Sequence, residues 1–482
     1  MDTDRRSLFK LAAAVPLTVA ARPGRTWAQA AAPNADHRLR IATGLAELAP
    51  DQIVSTTLYN GQFPGPLLRM REGQRTSVEI INDTDTPELV HWHGQMIPSA
   101  VDGAAEEGTP YIPPHSRRVI SFEPRPRGFR FYHTHVVAGP DLSRGAYTGQ
   151  AGPLYIEPKN DPGRYDREVF LTLKEFSPTF SKGGDMAMEV LAGEELPALK
   201  AIGAADDAKA VTKNKGYEVG YRLFSINGTM LGHGDPIRVK QGERVLFHVL
   251  NASAGEIRSL ALPGHRFRVV ALDGNPVPTP AEVPVLWLGT AERVSAIVEM
   301  DHPGVWVMGD LSDDDRGNGM GTVVEYAGSS GKPVWAKPPA FRWDYTTFGN
   351  AASLQRPDET MDFLIEKHNA ALGGFNQWTL NGKACSMAHN GPVYPLHQGK
   401  RYRLRFRNAS DDIHPLHLHR HSFELSHIHG KPTAGVTKDV VMLGGYQELA
   451  FDFTADNPGD TLFHCHQQLH MDYGFMMLFR YA

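Results

Sequence analysis

Residues 399–408 read Gly399-Lys400-Arg401-Tyr402-Arg403-Leu404-Arg405-Phe406-Arg407-Asn408, with Tyr402, Leu404 and Phe406 alternating with arginines. A period of two between turn residues predicts a strand with one face buried. The same frame occurs twice more. Asn381-Gly382 precedes Gly399 and Asn408, Asn60-Gly61 precedes Gly73 and Asn82, and Asn227-Gly228 precedes Gly242 and Asn251. The Gly-to-Asn step is nine residues in each copy, and the Asn-Gly pairs recur after 167 and 154 residues. Such periods predict three related units. The strand-like segments 74–81, 243–250 and 400–407, bounded by turn residues, make each unit a β-sandwich.

Composition agrees. The chain has 482 residues, too many for one ordinary domain, and its 41% hydrophobic content is enough for sizeable cores. Its 47 glycines and 35 prolines suit many short strands rather than helices, so the expected class is all-β. Pro- and Gly-rich stretches at 157–164 and 328–340 separate the units, which gives domains at 37–157, 165–328 and 340–482. Residues 185–211, rich in Ala, Glu and Met, read as a helical insertion in the second.

Residues 1–30 read as a targeting segment. Arg5-Arg6-Ser7-Leu8-Phe9-Lys10 resembles a twin-arginine motif, a short apolar run follows at 11–21, and Ala28-Gln29-Ala30 is a small-x-small cleavage pattern. The run falls short of the roughly 20 residues a spanning helix needs, so no membrane anchor is expected after cleavage. Export to the periplasm or beyond is the expectation. Removing this segment leaves 44 basic against 52 acidic residues, a net charge of −8, which argues against a nucleic-acid partner.

Among 22 histidines, four clusters stand out: His91-Trp92-His93, His133-Thr134-His135, His414-Pro415-Leu416-His417-Leu418-His419, and His464-Cys465-His466 with His470. They fall at matched points of the repeat. Gly128 precedes His133 by five residues and Gly459 precedes His464 by five, whereas in the middle unit Gly304 leads by the same step to Gly309-Asp310-Leu311. Arg258, Ala261 and Pro263 likewise replace His414, His417 and His419, and the first unit has Glu88 and Thr134 where the third has His414 and Cys465. The first and third domains are therefore expected to hold metal, with the middle one a spacer. On a strand, His464 and His466 share a face and Cys465 points the other way, so one strand serves two centres. A thiolate with two imidazoles (Cys465, His414 and His470) is the ligand set of a blue-copper site, and the other eight histidines suit further copper. Zinc is the rival, but it has no redox role and a structural zinc site needs fewer imidazoles.

These motifs, over nearly the whole mature chain, resemble those of the multicopper oxidases. The resemblance implies three consecutive cupredoxin-like Greek-key sandwiches and four copper ions. Type 1 copper would take His414, Cys465 and His470; type 2, His91 and His417; the type 3 pair, His93, His133, His135, His419, His464 and His466. It implies electron transfer from a small reducing donor to dioxygen, giving water. A laccase-like donor, phenol or aromatic amine, leads. A Cu(I) or Fe(II) oxidase is the alternative, and a non-catalytic envelope protein the third reading. Phe475 stands at the axial position, where it cannot coordinate, so a raised type 1 potential is expected. Asp102 stands where the family keeps a proton-delivering acid, but Gln467, Gln468 and Met471 surround His470, with Asp472 a substitute. His421 is expected to be structural, and His427 and His429 to be exposed loop residues. Cys385 is expected to be a free, buried thiol. Three domains in one chain can close the cluster internally, so a monomer is expected.

Overall fold

Each Asn-Gly pair closes a hairpin. Asn60, Asn227 and Asn381 take φ values of 53°, 54° and 52°, and the glycines that follow take 72°, 79° and 72°. Two successive left-handed residues are what a tight hairpin turn of this hand requires, and Asn-Gly adopts them at little cost. Each asparagine also bridges to a neighbouring strand, its Oδ1 accepting from the backbone N–H of Arg40, Thr172 or Leu364 at 2.7–2.8 Å. The three copies thus share one hydrogen-bonding pattern. A computed structural model of the chain describes residues 35–158, 164–181, 190–209, 215–350, 354–385 and 391–482. The twin-arginine segment and residues 185–189 lie outside these.

The strand that each asparagine bridges to also pairs parallel with the strand of the nine-residue step. His37–Ala49 pairs with Thr76–Asn82, Arg167–Phe176 with Arg244–Asn251, and Glu359–Leu372 with Arg401–Asn408. Asn82, Asn251 and Asn408 end those strands, and their buried side-chain amides donate to the Thr86, Glu256 and Asp412 carbonyls of the loop beyond. That satisfies carbonyls no ladder reaches.

In the third domain the opposing sheet runs Val393–Leu396, Met476–Tyr481, Thr461–Cys465, His414–Leu418, Val440–Leu443. Its inner face meets Tyr402, Leu404 and Phe406, the apolar set of the decisive stretch, with Phe406 stacked on Phe463 at 4.8 Å. Each such side chain, fully buried, contributes about 1.5–3 kcal/mol. The first domain repeats the plan with Leu68–Arg71, Ala151–Glu157, Gly128–His133 and His91–His93 as its second sheet. All four histidine clusters lie on or next to strands of these two second sheets. The middle domain has a six-stranded sheet and smaller partners.

The insertion differs from expectation. Its described helix is Pro197–Lys209 alone. Over the described residues before it, 190–196, the chain is not helical: Leu191 bridges to Trp343, and Ala192 N–H donates to the Trp343 carbonyl at 2.9 Å. Proline at the first helical position, with no amide hydrogen to give up, sets the later start.

Candidate metal centres

His414 and Cys465 lie on adjacent antiparallel strands, and His470 lies in the short helix Gln468–Asp472 that follows. Their donor atoms converge: Cys465 Sγ is 3.6 Å from His414 Nδ1 and 3.5 Å from His470 Nδ1, and the two nitrogens are 3.1 Å apart. His414 is held from behind, its Nε2 2.9 Å from Ser410 Oγ, which in turn donates to Asn408 Oδ1. That bond spends the ring's proton on Nε2 and leaves Nδ1 with a free lone pair. Trp378 stacks on His470 at 3.9 Å and donates its indole N–H to Asp412. Burial pushes the Cys465 thiol far up and His414 down to about 4. Among the described residues no cationic side chain acts on the Cys465 thiol, so a metal ion is what would displace its proton.

The other eight histidines meet where the first and third domains face each other. His135, His419 and His464 point their Nε2 atoms together, with His464 3.4 Å from His135 and 3.0 Å from His419. Donor atoms of His93, His133 and His466 lie within 4.8 Å of one another, as do those of His91, His93 and His417. Several of the remaining ring nitrogens are tied down. His133 Nδ1 donates to the Thr134 carbonyl, His417 Nδ1 to that of Asp439 and His464 Nδ1 to that of Cys465, at 2.7–2.8 Å. The inward atoms His91 Nε2, His93 Nδ1, His133 Nε2 and His417 Nε2 are buried with no hydrogen-bond partner among the described residues. Orphaned nitrogens at this density are costly unless an ion satisfies them. Burial, reinforced by neighbouring imidazoles, holds His93, His133, His417, His419, His464 and His466 well below the usual imidazole range and lowers His135 to about 3. The donor set therefore fits soft, imidazole-loving copper.

Three family models, each described as multicopper oxidase, match residues 43–161, 204–327 and 361–482. Multicopper oxidase MmcO of Mycobacterium tuberculosis is 30% identical, over 95% of this chain and 88% of its own length. The chain belongs to the multicopper oxidases. Among solved structures, the multicopper oxidase of Pseudomonas thermotolerans superposes with a TM-score of 0.68, at 24% identity over 93% of this chain and all of its own. Fet3p, a multicopper oxidase that functions in iron import, gives 0.75 at 18% identity over 92% and 90%. These show the fold: this oxidase is three cupredoxin-like domains.

Asp102, read from the sequence, is fully buried and reaches two clusters. Its Oδ2 is 2.9 Å from His419 Nδ1 and 3.1 Å from His91 Nδ1, and its carbonyl accepts from the latter at 3.0 Å. Phe475 packs edge-on against His414 at 4.8 Å, while Met476 sits in a separate cluster with Leu462 and Met471. Asp472 faces the first domain, accepting from the Ala138 and Gly139 amides at 3.0 and 2.8 Å and from Gln468 at 2.9 Å. His421 bonds the Tyr481 hydroxyl at 2.7 Å, outside the clusters.

Three expectations need correction. His427 ends inside the strand Phe423–Ile428 and is half-buried, and His429 is half-buried in the turn beyond, so neither is an exposed loop residue. The ring of His429 lies against Gly193. Cys385 is free, as expected, but half-buried, because the methionine cluster it packs against covers one side only.

Sequence reasoning missed two features of this oxidase. Glu107 lies 3.5 Å from His419 Nδ1 and accepts the Leu462 amide at 2.6 Å. Burial first, and then Asp102, push its carboxyl well up. Asp439 is the other. Its Oδ1 is 3.1 Å from His93 Nε2, and it accepts from Arg293 of the middle domain (2.6 Å) and Arg130 of the first (3.0 Å). Arg130 also bonds the Asp273 carbonyl, and Lys438 pairs with Asp273 at 2.9 Å and Glu292 at 3.1 Å. The one available signal was Lys438-Asp439 beside the apolar run Val440-Val441-Met442, since charges in such a setting are buried in pairs.

Proposed function

We propose that this multicopper oxidase is laccase-like, taking single electrons from phenols or aromatic amines and reducing dioxygen to water. The observation that carries the reading is the convergence of Cys465, His414 and His470 on a strand whose neighbours His464 and His466 reach the histidine cluster. His414, Cys465 and His470 would hold a type 1 copper, His91 and His417 a type 2 copper, and two triads (His93, His133, His466 and His135, His419, His464) the type 3 pair. Bound there, copper supplies one-electron acceptance at the cysteine site and four-electron reduction of dioxygen at the cluster.

The chain's own residues do the rest. His470 lines a cavity of about 760 Å³, so a donor resting there meets an imidazole edge. The peptide link from Cys465 to His464 and His466 gives a short covalent route inward. Ser410 and Asp439 hold the tautomers and ring orientations of His414 and His417. Asp102, at hydrogen-bond distance from His91 and His419, stands where a proton is handed toward the cluster. Phe475 offers no donor atom to the cysteine site, which favours Cu(I) and a raised potential. Arg5-Arg6 supports export by the twin-arginine route, already folded around copper.

A second reading, oxidation of Cu(I) or Fe(II), draws support from the carboxylates of the same cavity. Oxygen uptake by copper-loaded protein with 2,6-dimethoxyphenol, and separately with Cu(I), each against Cys465→Ser, separates the two. Uptake with the phenol that Cys465→Ser abolishes is the expected result. Uptake with Cu(I) alone favours the second reading, and a blue, loaded protein that takes up oxygen with neither donor sinks both.

A further inference from the structure

The cavity over His470 forms where all three domains meet, with Tyr147 from the first, Glu218 and Glu256 from the second and Asp412 from the third. Its volume suits a one- or two-ring molecule. Its charge is one-sided. Carboxylates of Glu194, Glu195, Glu218, Glu256, Asp411 and Asp412 line it, against Lys200 and Arg342. Some of that charge is already matched: Lys200 pairs with Glu195 at 2.7 Å, and Lys367 pairs with Asp411 and, at 2.7 Å, with Asp412. Glu218 accepts only the neutral Asn376 amide, at 2.7 Å, and Glu256 accepts no hydrogen bond on its carboxylate among the described residues.

Two further observations point to an occupant. The hydroxyls of Tyr147, 4% exposed, and Tyr221 both belong to cavity-lining residues and are buried without a hydrogen-bond partner among the described residues. Ile257, Ile413 and Leu469 provide apolar wall beside them. Among the described residues, no three acidic, histidine or cysteine donors converge within 4.8 Å in this cavity, as they do at each metal centre. A bare metal ion needs such convergence to lose its water. A ring carrying a positive charge needs none: it lies on the apolar and tyrosine surface and answers the carboxylates at longer range.

We infer that this cavity selects cationic aromatic donors, ring compounds bearing an ammonium group, over neutral or anionic ones, with Glu218 and Glu256 as the selecting charges. The inference rests on the proposed laccase-like reading for its chemistry, and concerns binding alone. Four such donors each lose one electron beside His470, and one dioxygen takes the four electrons with four protons, giving two waters. Positive charge on the donor grows as its electron leaves, so the two carboxylates favour the oxidised product as well as the incoming cation.

The test begins with binding, which needs no turnover. Phenyltrimethylammonium, which is redox-inert, and benzenesulfonate are titrated calorimetrically at pH 9 into copper-loaded and copper-free full-length protein. The ammonium is expected to bind at least tenfold tighter than the sulfonate, and Glu218→Gln with Glu256→Gln to remove that preference. In turnover at pH 9, the double variant is expected to raise KM for (4-aminophenyl)trimethylammonium, whose charge is permanent, and lower it for an anionic azo-bis-sulfonate donor, with kcat little changed. The type 1 absorption of the loaded variant checks its fold, and single Glu256→Gln, which breaks no hydrogen bond, serves if the double variant does not fold. Equal binding of the two ring ions, or a preference that survives both substitutions, overturns the proposal, as does Zn²⁺ binding to loaded protein that depends on these glutamates while the ammonium does not bind. Binding as expected with no donor oxidised leaves this site standing and removes the laccase-like reading instead.

Discussion

The third domain and the middle domain carry the same site in two chemistries. A constant offset of 155 residues, from Gly304 to Gly459, aligns the short helix Asp313–Gly317 with Gln468–Asp472, and Gly319 (φ 115°) with Gly474 (φ 123°). Where the third domain has Cys465 and His470, the middle domain then has Asp310 and Asp315, and Arg258 stands for His414. Arg258 pairs with Asp315 at 2.6 Å, and Asp310 accepts the Ser259 amide at 3.0 Å. The first domain offers a third version, with Glu88 held by Gln150 at 3.0 Å and by Thr134. A frame that brings three side chains together buries them, and the frame accepts a metal triad, an ion pair or a hydrogen-bonded acid, provided each polar atom is answered.

Giving the third domain the middle domain's residue breaks the comparison most severely. Cys465→Asp is expected to abolish the blue absorption and oxygen uptake with every donor, because carboxylate with imidazole is no longer a blue-copper ligand set. A variant that kept its blue band would place the type 1 centre elsewhere. The next effect concerns what the middle domain retained. Among the described residues no metal-donor triad converges in it, yet Arg293 and Asp273 clamp the carboxylate that positions His93. Arg293→Met leaves Asp439 and Asp273 buried and short of a cation, a loss of about 3–5 kcal/mol. A fall in the melting temperature of copper-free protein, with depleted type 2 and type 3 copper but intact type 1 absorption on loading, is expected. Unchanged stability and full copper would return the middle domain to the role of a spacer.

A milder substitution sharpens the contrast at the axial position. Met320 of the middle domain aligns with Phe475 and is fully buried. Phe475→Met places a weak sulfur donor near His414, and a redox titration of the blue band is expected to show a lower potential. No change would mean that position 475 does not face the metal.

What the sequence made legible follows from range. The Asn-Gly turns and the alternating Tyr402, Leu404 and Phe406 act over two to six residues, so their periodicity announces strand and hairpin directly. The histidine clusters are legible because strand geometry puts donors at i and i+2, and because an internal repeat supplies two metal-free or altered copies for comparison. The arginines around Asp439 were not legible. Arg130 and Asp439 are 309 residues apart, belong to different domains and repeat nowhere in the chain. Glu107 sits in a one-turn helix with no periodic signature. The helical reading of residues 190–196 fails because composition alone favours helix before Pro197.

The smallest effect belongs to charges that the middle domain lends to the donor cavity. Burial pushes Glu256 up to about 7, against the pull of Arg258 and with Glu175, Asp310 and Asp315 nearby. It pushes Glu218 up to about 8, where Asp412 and Asp411 add to the rise and Lys367 opposes it. Both carboxyls are thus largely neutral at pH 6 and ionised by pH 9. A cation prefers the ionised form, so the affinity of copper-free protein for phenyltrimethylammonium is expected to rise across that range, by about tenfold. Benzenesulfonate should show the opposite slope. Replacing Glu256 with glutamine removes the lower step and leaves the upper one, because Glu218 still titrates. A flat wild-type profile would mean that the glutamates of the middle domain do not meet the ligand, and the resemblance between that domain and the metal-bearing ones would then end at the buried clamp on Asp439.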